Sequence, residues 1–219
     1  MSATDSNILE QLKHSPRLPE HVDGLLAFLK EEQEKRQDFY EWLTDDIKAE
    51  FIEGEVIVHS PVVIEHKIAT KNLSYLLDTC VEKFELGFVG LEKILFKAVR
   101  NDYEPDICFF NKTKAKDFIK GFMFFPVPDF AIEILSKSTE KRDRGVKFID
   151  YAESGMQEYW IINADNETVE QYENVGGKFE LKLKVNDGAI QSIVVPQFEI
   201  PVRAIFDSKL KQETLKKFL

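Results

Sequence analysis

Glu133 lies in "PDFAIEILS", residues Pro128 to Ser136, among Phe130, Ala131, Ile132, Ile134 and Leu135. Burying an ionised carboxylate costs heavily unless a cation meets it, so an acid inside an apolar strand needs a partner. A second acid, Asp106, opens the apolar run of "YEPDICFFN" directly after Pro105. A Pro-Asp dipeptide by itself is a common turn where a strand begins, and Pro128-Asp129 reads that way. If the two strands are neighbours, however, Asp106 and Glu133 converge at one end of a sheet. Two carboxylates held together repel and raise one pKa unless a cation lies between them. Magnesium suits such a pair, because it accepts one or two carboxylates, keeps several waters and leaves room for phosphate oxygens. Such an ion polarises a phosphodiester and lowers the pKa of bound water, which is a route to hydrolysis.

The next segment, "KSTEKRDRGVKFIDYAESG", places Arg144, Lys147 and Tyr151 at spacings of three and four on a predicted helix. A lysine on that stripe could orient an attacking water or neutralise charge developing on a phosphate. Each of these residues also has an ordinary reading. Lys147 reads as a surface lysine, and Ser136, Ser138 and Thr139 as helix caps. Glu133 reads as half of an ion pair with Lys147 or Arg144 that needs no metal. His66 follows Glu65 on an otherwise apolar helix and reads equally well as a satisfied core histidine. His14, His21 and His59 have no metal-ligand spacing, and no phosphate-loop or dinucleotide-binding glycine run is present.

The elements that must position these groups can be read along the chain. The first part, to about Trp42, has helical spacing, with Leu25, Leu26, Phe28 and Leu29 and then Phe39, Trp42 and Leu43. "AEFIEGEVIVHSP" alternates around Glu53-Gly54 and predicts a β-hairpin ending at Pro61. "VIEHKIATKNLSYLLDTCVEKF" carries an amphipathic helical stripe. Three strand-like segments follow, "FVGLEKILFKAV", "DICFFN" and "DFAIEILS". A helix in "RGVKFIDYAESG", with Gly155 as its C-terminal stop, precedes the apolar strand "EYWIINA". A helix between two apolar strands favours a parallel crossover. Antiparallel strands are expected around Gly176-Gly177 and in "IVVPQFEIPV", and a short helix near the C-terminus. The expected fold is therefore α/β, a mixed central sheet flanked by helices, with additional antiparallel strands and an N-terminal helical extension.

Composition sets the bounds. The 219 residues are 43% hydrophobic and 31% charged, enough to fill a core. No run approaches the roughly 18 apolar residues of a membrane span, and the first twenty residues lack an apolar leader. The expectation is a cytoplasmic protein without a membrane partner. Cys80 and Cys108 read as reduced apolar filler. A net charge of −10 opposes coating nucleic acid by charge alone. That charge is uneven: residues 1–55 hold 14 acidic and 6 basic residues, whereas residues 111–147 hold 9 basic and 5 acidic.

Taken together, "PDFAIEILSKST" followed by "RDRGVKFIDYAESGMQEYWIIN", with "EFIEGEVIVHSP", His66 and "EPDICFF" upstream in the same order, resembles the Uma-type restriction endonuclease family. That family lies within the PD-(D/E)XK nuclease superfamily, and the likeness covers roughly Phe39 to Val202. It implies a restriction endonuclease-like core cleaving phosphodiesters of nucleic acid, DNA foremost, with Mg2+, for which Mn2+ would substitute. Asp106 matches the aspartate of the "PD" element and Glu133 the acid of the following strand, the two expected metal ligands. The superfamily's lysine is expected two residues after that acid, where this chain has Leu135. Lys147 on the next helix is the expected replacement. Glu55 in the "GE" turn and His66 match recurrent positions and are expected, with Tyr151, to support the site. Asn163 stands where the strand often ends in aspartate. The alternative reading is a catalytically inactive nuclease-fold module that binds nucleic acid or a protein partner. The expected division is residues 1–36 as the extension, 37–203 as the nuclease-like domain and 204–219 as a tail. Cutting both strands of a duplex would favour a homodimer, although no dimer surface is legible in the sequence.

Overall fold

The computed structural model describes residues 3–44 and 46–219, with side chains from residue 7 onward. Two helices come first, α1 (Ala3–Lys13) and α2 (Leu18–Trp42), then the hairpin β1 (Ala49–Ile52) and β2 (Glu55–Val58), then α3 (Ile64–Lys83). Next are β3 (Gly87–Leu91), β4 (Phe96–Lys97), β5 (Asp102–Tyr103), β6 (Ile107–Asn111), a single turn α4 (Lys112–Ala115) and β7 (Phe130–Ile134). The short α5 (Glu140–Asp143) and α6 (Val146–Glu153) lead to β8 (Glu158–Asn163), β9 (Thr168–Val175) and β10 (Lys178–Val185). The chain closes with β11 (Ala189–Gln191), β12 (Glu199–Pro201), a 3-10 turn at Val202–Ile205 and α7 (Ser208–Leu215).

Six strands form the central sheet in the order β10-β9-β8-β7-β6-β3. It is mixed, as expected. β7 and β8 run parallel, joined through α5 and α6, while the other pairings are antiparallel. A second sheet, β2-β1-β5-β4, carries the early hairpin, and β11 pairs with β12. The segment "FVGLEKILFKAV" is not one strand. Glu92 and Lys93 take φ of 37° and 49°, and the chain leaves β3 there to reach β4 in the other sheet.

Alternation along the sheet separates two cores. Ile107, Phe109, Phe130, Ile132, Ile134, Trp160 and Ile162 face α3, where Leu73, Leu76, Leu77 and Cys80 complete the packing. The opposite face carries Cys108, Phe110, Ala131, Tyr159 and Ile161 against Tyr151, Ala152 and Met156 of α6 and its C-terminal turn. Asp106 and Glu133 share parity with Cys108 and Ala131, so both belong to the α6 face. Both cysteines are free and buried.

β1 is buried along its whole length because both of its sides are covered. Ala49 and Phe51 pack with Phe39 of α2, and Ile52 joins the core on the α6 side. The hairpin turns in two residues, Glu53 (φ 52°) and Gly54 (φ 84°), both left-handed as the tight primed turn requires. Residues 204–219 pack into the fold as well: Ala204, Ile205 and Phe218 lie in the α3 core. Among the described residues no helix is long and apolar enough to cross a membrane.

Candidate functional site

The β6–β7 register pairs Ile107 with Ile132, and one step further it sets Asp106 across from Glu133. The backbone binds them too, since the Ile134 N–H donates to Asp106 Oδ2 at 3.0 Å. Lys48, just before β1, donates to Asp106 Oδ1 at 2.9 Å. His66 in the first turn of α3 brings Nε2 to 3.3 Å from Oδ2. Burial alone would raise the Asp106 carboxyl, but His66 and the Lys48 ammonium outweigh it and hold it well below the usual carboxylate range.

α6 presents Lys147 and Tyr151 to Glu133. Lys147 Nζ donates to Glu133 Oε1 at 3.0 Å and the Tyr151 hydroxyl donates to the same oxygen at 2.8 Å. Lys147 is almost wholly buried and also lies 2.8 Å from Glu50 Oε1 and 3.4 Å from Asp143 Oδ1. Burial works against its charge, yet Glu133, Glu50 and Asp143 together keep its pKa well above the ordinary lysine value. The acids divide accordingly. Glu50 is pulled down to about 2, the Lys147 and His59 interactions exceeding the cost of burial. Burial raises Glu133 to about 8, more than Lys147 offsets, and raises Asp143 as well. Glu104 is also raised by burial, to about 7, with the Lys48 charge opposing; its Oε2 accepts from the Ala49 N–H.

Glu50, Asp106, Glu133 and Asp143 thus surround the Lys48 and Lys147 ammonium groups, with His59 beside Glu50 and His66 beside Asp106. Burial is the main cause of the upward shifts of Glu133 and Asp143, and the neighbouring carboxylates add to it. Both carboxylate oxygens of Asp143, and Glu50 Oε2, are buried without an aligned hydrogen bond, although His59 Nε2 lies 3.2 Å from the latter. Buried carboxylate oxygens that lack an aligned hydrogen bond are hard donors of the kind a divalent cation takes. Among the described residues no three His, Cys, Asp or Glu side chains form a ready-made cage. Asp106 and Glu133, facing each other on adjacent strands, offer two carboxylates, the smallest donor set magnesium accepts when water fills its other positions.

The structure brings Asp106, Glu133, Lys147, His66 and Tyr151 together. It does not bring in Glu55, which shares a face of the hairpin with Glu50 but stands exposed at its tip, lining a cavity with Glu53, Arg142 and Val146. Glu50, five residues earlier, takes the interior place. Arg144 also leaves the expected stripe. It lies in the break between α5 and α6, beside Gly145, and forks onto Glu170 at 2.7 and 3.0 Å. Ser136 and Thr139 hydrogen bond to each other across a turn and do not cap α5 through their side chains. Leu135 packs in the α6-side core, so no lysine could serve from that position without leaving it. Asn163 caps a local turn by accepting from the Asn166 N–H. Lys48, Glu50, Asp143 and Glu104 went unread in the sequence. Glu50 has one local signal, an acid on an alternating hairpin whose neighbours are all apolar.

A family model described as "Putative restriction endonuclease", Uma2, matches residues 36–203. A crystal structure described as a "putative nuclease belonging to DUF820", from Anabaena variabilis ATCC 29413, superposes with a TM-score of 0.67 at 20% identity. It covers 80% of this chain and 97% of its own, a likeness of fold. Among functionally curated proteins none matches. With the family model extending over most of the chain, this protein belongs to the Uma2 family.

Proposed function

We propose that this chain hydrolyses phosphodiester bonds in nucleic acid, DNA foremost, at the Asp106–Glu133 centre with Mg2+ bound. The observation that carries the reading is the meeting of two acids from adjacent strands with the Lys147 ammonium from α6 on one carboxylate. Asp106 and Glu133 would hold the ion, with Mn2+ able to replace it. When bound, the ion supplies Lewis acidity toward a phosphate oxygen and a more acidic water.

The chain's own groups have separable tasks. Lys48 and His66 keep Asp106 ionised, and Tyr151 fixes the rotamer of Glu133 through Oε1. Lys147 keeps a positive charge in a water-poor site, where it is worth most to charge developing on a phosphate. Glu133, its pKa raised to about 8, holds a proton near neutral pH that it would give up to admit a cation, and burial shifts Asp143 in the same direction. The test is cleavage of duplex DNA in Mg2+. Activity should vanish in EDTA and in Asp106→Asn and Glu133→Gln. Cutting that persists in the double variant contradicts the assignment.

A second reading, a catalytically inactive module that binds nucleic acid or a protein, draws on one observation. Lysines of the chain already pair with both acids, and among the described residues no third ligand completes a cage. It predicts no turnover in the same assay and no stabilisation by divalent cations.

A further inference from the structure

We infer that the cavity lined by Phe122, Phe124, Phe125 and Glu104, beside Asp106, takes up one unpaired nucleobase of the substrate, guanine foremost. This rests on the nuclease reading and names the part of the nucleic acid that the same site would recognise. The cavity holds about 290 Å³, and Ile47 and Lys93 complete the walls that matter here. That volume is at the small end of the roughly 300–1,000 Å³ of ligand sites, so it suits one planar ring system.

Three of those walls are chain neighbours of groups that touch Asp106. Glu104 lies two residues before it, a backbone span of at most about 7 Å. Ile47 precedes Lys48, whose ammonium meets Asp106 Oδ1 at 2.9 Å. Lys93 follows Glu92, whose N–H donates to the Asp106 carbonyl at 3.2 Å. A nucleotide with its phosphate at Asp106 therefore has a base within reach of the cavity.

Aromatic rings beside a buried acid select the occupant. Phe124 is 40% exposed, and its ring is held by Tyr40, edge-on at 5.0 Å, and by the Lys97 ammonium 4.0 Å from its centroid. A ring fixed in advance is a stacking platform with little ordering cost. Glu104 is 2% exposed, and the Ala49 N–H donates to its Oε2 at 3.1 Å, which holds the carboxyl in place. A phosphate would meet that acid with like charge. A purely apolar ligand would seal it from water without supplying a donor. A planar ligand edged with N–H groups satisfies both features. Of the four bases, guanine presents two adjacent donors, N1–H and the N2 amine, which fit the two oxygens of a carboxyl group. Thymine sets its one N–H between two carbonyls. The base must be unpaired, because pairing occupies that edge and stacking hides its faces.

Fluorescence anisotropy of the full chain in EDTA at pH 8, where nothing is cut, tests this. The labelled probes share one sequence: a paired duplex, and duplexes bulged by a guanine, a thymine or an abasic sugar. The guanine bulge should bind about tenfold more tightly than the paired duplex and the abasic bulge, and more tightly than the thymine bulge. Phe124→Ala should remove the preference over the abasic bulge. Phe124→Tyr, which keeps a ring, and Ile119→Ala, at a 74% exposed position outside the cavity, should retain it. Glu104→Gln should erase only the preference for guanine over thymine. An abasic bulge bound as tightly as the guanine bulge overturns the inference and leaves the nuclease reading standing. So does a preference that survives Phe124→Ala, is lost equally in Ile119→Ala, or still favours guanine over thymine in Glu104→Gln. Binding of no probe overturns both.

Discussion

Lys147 is met by Glu50 at 2.8 Å, Glu133 at 3.0 Å and Asp143 at 3.4 Å, and Glu50, pulled down to about 2, keeps its charge there. Removing it leaves the buried, ionised Glu50 without its counter-charge, so Lys147→Met should cost about 3–5 kcal/mol in urea unfolding at neutral pH. A loss under 1 kcal/mol would mean the acids are already neutral. Glu133 gives a pH test of opposite character. Its folded pKa, about 8, lies above the ordinary 4.5, so its contribution is fully present below about 4.5 and is lost as pH rises through 8. Glutamine keeps the protonated shape at every pH. The stability of Glu133→Gln relative to the parent should therefore climb between pH 5 and pH 8, and a constant or falling difference would contradict the assignment. Asp106 behaves in reverse. Its depressed pKa makes its contribution full above about 4 and lost in acid, so the cost of Asp106→Asn should shrink as pH falls toward 3.

At the scale of elements, the site depends on three pieces that meet by packing: the β6–β7 register, the β1–β2 hairpin and α6. The first was legible. Apolar residues flank Glu133 on both sides, and Pro105-Asp106 immediately precedes the apolar run of β6, so both acids could be read, and their convergence followed on condition that the two strands were neighbours. Lys147 and Tyr151 were legible as a helical pair four residues apart, but Arg144 was not separable from them until Gly145 broke the helix. Glu50 carried only the weak signal of apolar neighbours, and its burial has a tertiary cause. An acid on a short alternating hairpin reads as a solvent-facing residue, and it is buried only because α2 covers one side of β1 while the α6 layer covers the other. Lys48 and Asp143 sit just outside regular strands or in a one-turn helix, where no periodicity marks them. The hairpin is clamped through α2: Arg36 donates to both Asp102 oxygens at 2.6 Å, with Tyr40 adding a third bond at 2.9 Å. Arg36→Ala leaves a fully buried carboxylate short of its cation and should cost about 3 kcal/mol. Because Asp102 pairs with the strand that holds Glu50, activity should fall with it. Unchanged unfolding would show that Tyr40 alone satisfies Asp102.

Over the whole molecule, the family core spans residues 36–203, and the chain on either side is attached to it in different ways. The expected boundary at 36/37 falls inside the continuous helix α2, whose later half is bonded to the core. The C-terminal residues fill the α3 side through Ile205 and Phe218, so trimming them opens a cavity in the larger core. The mixed sheet and its flanking helices followed from alternation and spacing. The second sheet did not, because β4 and β5 are two residues each, too short to carry a period. The proposed cation site would give the molecule a linked response to divalent ions, since an ion that binds only the folded state adds about 2.7 kcal/mol at a hundred times its Kd. The most direct test of the central claim is thermal unfolding of the parent and Glu133→Gln at pH 8, each with and without millimolar Mn2+. The account predicts a midpoint several degrees higher with Mn2+ for the parent and no shift for the variant. Equal shifts in both, or none in either, would contradict a cation site at Asp106 and Glu133.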